Sequence, residues 1–249
     1  MHPLTASGVL MYVSDAMEPL PEQGAAPRLR LAVFDLDGTL KARASPWRLL
    51  HEALGLGEMA SRYGQQFLAG TFDYHEWARL DAALWKGINL DWVEELFRRS
   101  PYRPGAHQLL RFLRDASVPS VIISTGLDAQ ARHVAADLGI WRTITNELLV
   151  VEGRLTGEVR VVVTESNKGA IMDGLCAELA VRGSECLAVG DGLADIALFA
   201  RAGLSVAVCP TDEQVRSAAD VVLDDGDLAA MIPLISQHFI GMHTAKTPA

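Results

Sequence analysis

Five short apolar runs recur along the chain: LRLAVFD (29–35), VPSVIIS (118–124), CLAVGD (186–191), LSVAVCP (204–210) and DVVLDD (220–225). None alternates strictly between apolar and polar residues, the pattern of parallel strands covered on both faces. Stretches with helical spacing lie between them. PGAHQLLRFLRDAS (104–117) clusters Leu109, Leu110, Phe112 and Leu113 behind Pro104 and Gly105, and LDAQARHVAADLG (127–139) ends in Gly139. Proline near a helix start and glycine just past its end are the expected punctuation. NKGAIMDGLCAELAVRG (167–183) and ADIALFARAG (194–203) read the same way, each ending at its glycine. Strands alternating with helices of this length predict an α/β fold built on a parallel sheet.

Two segments break the alternation. VEGRLTGEVRVVVTE (151–165) has two β-rich arms around Glu152-Gly153 and reads as a hairpin. Residues 41–103 show no strand pattern and hold four of the five tryptophans, Trp47, Trp77, Trp85 and Trp92. This is a helical insertion expected to form a second, smaller domain. The expected division is a loosely ordered leader over 1–28, a core made of 29–40 and 104–240, the insertion over 41–103, and a tail over 241–249. The leader lacks the basic start of a signal peptide, and Met11 or Met17 could be the natural start.

Composition narrows the partners. Hydrophobic residues make up 49% and charged residues 21%, as in an ordinary globular protein. The formal net charge of −9 argues against nucleic acid, whose binders show a basic face. No apolar run reaches the ~18 residues a membrane span needs. Cys176, Cys186 and Cys209 are scattered and odd in number, which suggests reduced thiols and a cytoplasmic location rather than a disulfide framework.

Candidate chemistry collects where the apolar runs end. In an open parallel sheet, ligands bind beyond the carboxyl ends of the strands. The first run ends in Asp35 and is followed by Asp37, the second in Ser124-Thr125-Gly126, the third in Gly190-Asp191-Gly192 with Asp195 shortly after, and Lys168 opens a helix in ESNKGA. Any one of these is ordinary, since aspartate after a strand commonly caps a helix or makes a turn. Their convergence on one edge is not explained by capping. No histidine lies on these motifs; His107 and His133 fall in helices as surface or packing residues.

The set resembles the haloacid dehalogenase superfamily of phosphohydrolases over roughly residues 30–235. DLDGTL is similar to that superfamily's first motif, Ser124 in VIISTG to its second, Lys168 to its third and GDGLAD to its fourth. The resemblance implies a Rossmann-like three-layer core, with the helical insertion after the first strand acting as a cap. It implies that Asp35 is the nucleophile that forms an aspartyl-phosphate, and Asp37 the general acid and base. It also implies Mg²⁺ held by the Asp35 side chain, the Asp37 backbone carbonyl and the Asp191 side chain, with Asp195 in or near the second shell. Lys168 and the cation would neutralise the phosphate. Ser124, Thr125 and Gly126 would hold its oxygens, Gly38 would leave room for it, and Thr39 would fix the loop.

The cap and the wording EGRLTGEV…ESNKG resemble the phosphoserine phosphatase branch. In that branch an arginine at the position of Arg79 binds the substrate carboxylate. Three positions depart from it: Ala44 stands where the branch has glutamate, Thr125 replaces a glycine, and Ala194 replaces an asparagine. Trp47, Trp77 and Trp85 are expected to be the cap's own core, because a helical cap of this size needs aromatic bulk. The implied function is a Mg²⁺-dependent phosphatase acting on a small phosphorylated metabolite, as monomer or homodimer. A phosphomutase or phosphotransferase of the same superfamily, or a non-catalytic phosphate-binding module, are the alternatives. Asp37 argues against a dehalogenase; a phosphonatase would need a cap lysine, for which Lys41 and Lys86 are the candidates but lack a motif.

Overall fold

The computed structural model describes residues 26–42 and 45–242. Most of the expected leader, both alternative starts, Ala44 and nearly all of the tail lie outside the described residues. In chain order the first strand is β1 (Leu31–Phe34), followed by α1 (Pro46–Ala53), α2 (Gly57–Leu68), α3 (Tyr74–Ala83), α4 (Leu90–Arg98) and α5 (Ala106–Asp115). Then come β2 (Ser120–Leu127), α6 (Asp128–Leu138), β3 (Arg142–Val151), β4 (Arg154–Arg160) and α7 (Lys168–Leu179). The chain closes with β5 (Cys186–Gly190), α8 (Ile196–Phe199), β6 (Leu204–Val208), α9 (Glu213–Ala218), β7 (Val221–Leu223) and α10 (Met231–His238).

The strands form one sheet in the order β4-β3-β2-β1-β5-β6-β7, with only the β3–β4 pair antiparallel. β1 is central and fully buried. Its side chains alternate between two cores: Ala32 and Phe34 pack with α5, α6 and α10, while Leu31 and Val33 pack with α7, α8 and α9. Both faces are covered, so all four positions must be apolar; truncating Phe34 to Ala would cost about 3–5 kcal/mol. The same alternation in β2 and β5 clamps β1 on both sides. The residues just beyond β1 are thereby fixed in place.

Helices α1 to α4 occupy the stretch between β1 and α5. Pro46 begins α1, and the Asp73 and Asn89 side chains accept backbone N–H groups at the starts of α3 and α4. A third apolar cluster lies here: Trp47, Leu50, Trp85, Val93 and Phe97 pack with Leu148 and Leu155 from the hairpin. Trp47 and Trp85 are therefore core residues. The hairpin is tied to this layer by the Gly87 N–H to Leu155 carbonyl and Leu90 N–H to Gly153 carbonyl bonds.

The structure differs from the sequence pattern in two ways. The hairpin's first arm starts at Arg142, and its early residues pair in parallel with β2 before the later ones pair with β4. RTITNELLVV mixes polar and apolar residues because only part of it is covered, so it carries no clean strand signal. Helix α7 also ends earlier than its glycine: Ala180 takes the left-handed conformation at φ 50°, and α8 stops at Phe199, four residues before Gly203.

Candidate active site

The side chain of Asp35 is held where β1 ends, after its own backbone N–H has bonded the Val189 carbonyl of β5. Lys168, at the start of α7, reaches across to it. Its Nζ donates to Asp35 Oδ1 at 2.6 Å and to Asp195 Oδ1 at 2.7 Å, and the lysine side chain is 2% exposed. The other Asp195 oxygen accepts the backbone N–H groups of Asp191 and Gly192, which shapes the turn after β5. Asp195 is thus both a loop cap and a partner of Lys168. Thr39 Oγ1 donates to Asp191 Oδ1 at 2.7 Å.

Two glycines make these approaches feasible. Gly38 has φ +88°, and a Cβ there would sit 2.1 Å from Asp191 Oδ2. A Cβ on Gly126 would sit 2.5 Å from Asp37 Oδ2. Neither position admits a side chain without moving a carboxylate. Ser124 Oγ accepts the Gly126 N–H at 3.1 Å, which leaves its own hydroxyl proton for another acceptor. The Thr125 carbonyl accepts from Trp47 Nε1, Tyr74 Oη and Asn146 Nδ2, so residues of α1, α3 and β3 lock this turn.

Four acids and one buried lysine meet here, and burial shifts the ionisation of Asp35, Asp37 and Asp191. Burial raises Asp35, against the pull of Lys168. Burial and then the Asp35 charge raise Asp37 well above the usual carboxylate range. Asp191 is pushed up to about 7 by burial, then by Asp35. Burial alone would lower Lys168, but the Asp195 and Asp35 carboxylates outweigh it and raise it. Carboxylate oxygens of Asp35, Asp191 and Asp195 lie within 4.8 Å of one another. A set of hard oxygen donors with excess negative charge fits a divalent cation, which would favour the ionised forms of Asp35 and Asp191.

Asp35, Asp37, Gly38, Ser124, Thr125, Lys168, Asp191 and Asp195 line one open cavity of about 700 Å³, together with Glu165, Leu68 and Leu193. Thr39 and Gly126 stand directly behind it through the contacts above. Arg79 is not brought there. It lies on the exposed face of α3, 62% exposed, and both its Nε and Nη2 bond Glu76 one turn earlier. Lys41 is buried too, but its ammonium is taken up by the Ser100 carbonyl and the Tyr102 ring, and Lys86 is exposed. Sequence reasoning missed Gln130 on α6, fully buried, whose Nε2 donates to Asp37 Oδ1 at 2.8 Å. A glutamine next to the buried Ala129 and Ala131 was the available signal.

A mostly parallel α/β sheet that delivers a lysine-bridged acid cluster to its carboxyl edge fits a hydrolase. The chain belongs to the haloacid dehalogenase-like hydrolase family, whose family model matches residues 32–200. Its relatives include a phosphoserine phosphatase of Campylobacter jejuni subsp. doylei, 30% identical over 83% of this chain and all of the relative. One of Wolinella succinogenes is 31% identical over 82% of this chain and 98% of the relative. A solved phospho-aspartyl intermediate analogue of phosphoserine phosphatase superposes with a TM-score of 0.71 at 27% identity, covering 84% of this chain and all of that one.

Proposed function

We propose that this chain is a Mg²⁺-dependent phosphatase that hydrolyses a small phosphorylated metabolite through an aspartyl-phosphate on Asp35. The observation that carries the reading is the Lys168 bridge between Asp35 and Asp195, with Asp37 and Asp191 on the same cavity wall. Family membership and the phosphoserine phosphatase relatives support it. Residues 29–40 and 104–240 would act as the catalytic core, and 41–103 as a cap that shields the site. The location would be cytoplasmic; among the described residues no helix is long and apolar enough to cross a membrane, and all three cysteines are free.

Asp35 and Asp191, with the Asp37 backbone carbonyl, would hold the cation, with Asp195 in or near the second shell. It would supply charge neutralisation for the phosphate oxygens. Lys168 favours the ionised form of Asp35 and orients it, and its charge offsets that of the arriving phosphate. Asp35 attacks phosphorus as the ester P–O bond breaks, and Asp37 gives its proton to the departing alkoxide. Asp37, now ionised, takes a proton from water, whose oxygen attacks phosphorus. Asp35 leaves unchanged and inorganic phosphate is released. Ser124 donates its hydroxyl to a phosphate oxygen throughout, and the Thr125-Gly126 backbone frames the same oxygens.

A panel of phosphate monoesters, assayed by phosphate release with Mg²⁺ and with EDTA, tests this. The wild type should turn over with Mg²⁺ and stop with EDTA, and Asp35→Asn should lose at least about 10³-fold. Turnover indifferent to EDTA would remove the cation, and an Asp35→Asn loss below about 10-fold would mean another nucleophile.

A further inference from the structure

Asp37 has two oxygens, and the structure treats them differently. Oδ1 accepts the Gln130 Nε2 proton at 2.8 Å. Oδ2 faces the turn after Ser124, over the Gly126 backbone. A terminal carboxyl torsion is broad and roughly two-fold, so nothing intrinsic to aspartate selects between these oxygens. A single well-placed donor on one of them does.

Gln130 is an unusual residue for its position. It is 0% exposed on α6, next to Ala129 and Ala131, each also buried. Among the described residues its Oε1 has no hydrogen-bond partner. A buried, unsatisfied amide oxygen is costly, and helix packing alone would favour an apolar side chain there. The Nε2 to Asp37 contact is the feature that accounts for a glutamine. Its amide is neutral, so it steers Asp37 without adding a second cation to compete with Lys168 for Asp35.

We infer that Gln130 is a positioning residue: by holding Asp37 Oδ1 it makes Oδ2 the oxygen that carries the transferable proton. In the first step the proton moves from Oδ2 to the ester oxygen as that P–O bond breaks and the Asp35–phosphorus bond forms. In the second step Oδ2 takes a proton from the attacking water. Gln130 is not among the residues that line the cavity, and it acts only through Asp37. The inference rests on the phosphatase reading above.

Leaving-group dependence separates this role from a structural one. A nitrophenolate departs with little help from an acid, while phenolate, with a conjugate acid near the tyrosine value of about 10, needs it. kcat/KM would be measured for p-nitrophenyl phosphate and phenyl phosphate in Gln130→Met, which keeps the volume and removes the donor. Gln130→Leu serves the same purpose should the methionine variant not fold. General acid catalysis contributes roughly 10²–10⁴-fold, so a misdirected proton should cost about 30-fold on phenyl phosphate and under about 3-fold on the nitrophenyl ester. In an Asp37→Asn background, Gln130→Met should change neither value, because the two residues act as one unit. Equal losses on both esters, or the same loss in the Asp37→Asn background, would overturn the inference while leaving the phosphatase reading intact. A wild type inert toward these esters and toward every other phosphate monoester of the panel would overturn the phosphatase reading and this one with it.

Discussion

Neutralising Asp191 should stabilise the cation-free protein. In the folded chain burial and the Asp35 charge push Asp191 up to about 7; in the unfolded chain it titrates near the ordinary value, about 3.9. The folded state therefore binds the proton more tightly. Between these two values it carries more protons than the unfolded state, so stability falls as pH rises through that window. The gap between the two values, at about 1.36 kcal/mol per pH unit, gives an upper bound of about 4 kcal/mol at pH 8. The same expression gives about 0.5 kcal/mol at pH 4. Relaxation of the neighbours reduces the high-pH figure to about 2 kcal/mol. In Asp191→Asn the amide keeps an oxygen for the Thr39 hydroxyl, which bonds Asp191 Oδ1 in the wild type, so that bond is not lost. Urea unfolding of wild type and Asp191→Asn in EDTA reads the effect directly. The variant should be the more stable at pH 8, and its advantage should fade toward pH 4. Saturating Mg²⁺ should stabilise the wild type by roughly 2.7 kcal/mol at a hundred times its Kd, and the variant by less. An Asp191→Asn protein less stable than wild type in EDTA at pH 8 would refute the electrostatic account of the site.

Other substitutions probe separate parts of the arrangement. Lys168→Met leaves Asp35 and Asp195 facing each other without their shared cation and should lower stability by about 3–5 kcal/mol in EDTA, measured by urea unfolding, with activity lost. Gly38→Ala combines a φ of +88° with a Cβ 2.1 Å from Asp191 Oδ2; turnover should fall at least about 10²-fold, while thermal unfolding shows a drop of only about 1–2 kcal/mol. Arg79→Ala removes only an exposed pair with Glu76, so kcat/KM should change less than about 3-fold on any ester; a large rise in KM confined to carboxylated substrates would bring Arg79 back into the site.

The site was readable in the sequence to the extent that it is local. Asp35, Asp37, Gly38 and Thr39 follow a buried apolar run directly, and the sheet then fixes where they point. Lys168 and Asp195 carried their own short motifs, although the contact from Lys168 to Asp35 spans 133 residues. What stayed hidden depends on side-chain direction or partial burial. Sequence spacing puts Arg79 on α3 but does not say that Glu76, one turn earlier, captures it. Gln130 sits in a helix whose pattern reads as ordinary packing, and its partner lies 93 residues away. β3 was missed because one strand serves two neighbours of opposite direction and is covered only in part. The end of α7 was misplaced because Ala180, not a glycine, takes the left-handed turn.

The central claim is that phosphoryl transfer passes through Asp35. Wild-type protein mixed with p-nitrophenyl phosphate and Mg²⁺, quenched in acid and reduced with borohydride, converts an acyl phosphate into an alcohol that peptide mass spectrometry can locate. The account predicts homoserine at position 35 in the turning-over enzyme and none in protein treated without substrate. An enzyme that hydrolyses the ester while residue 35 stays aspartate, with the modification on another carboxylate or on none, would contradict it.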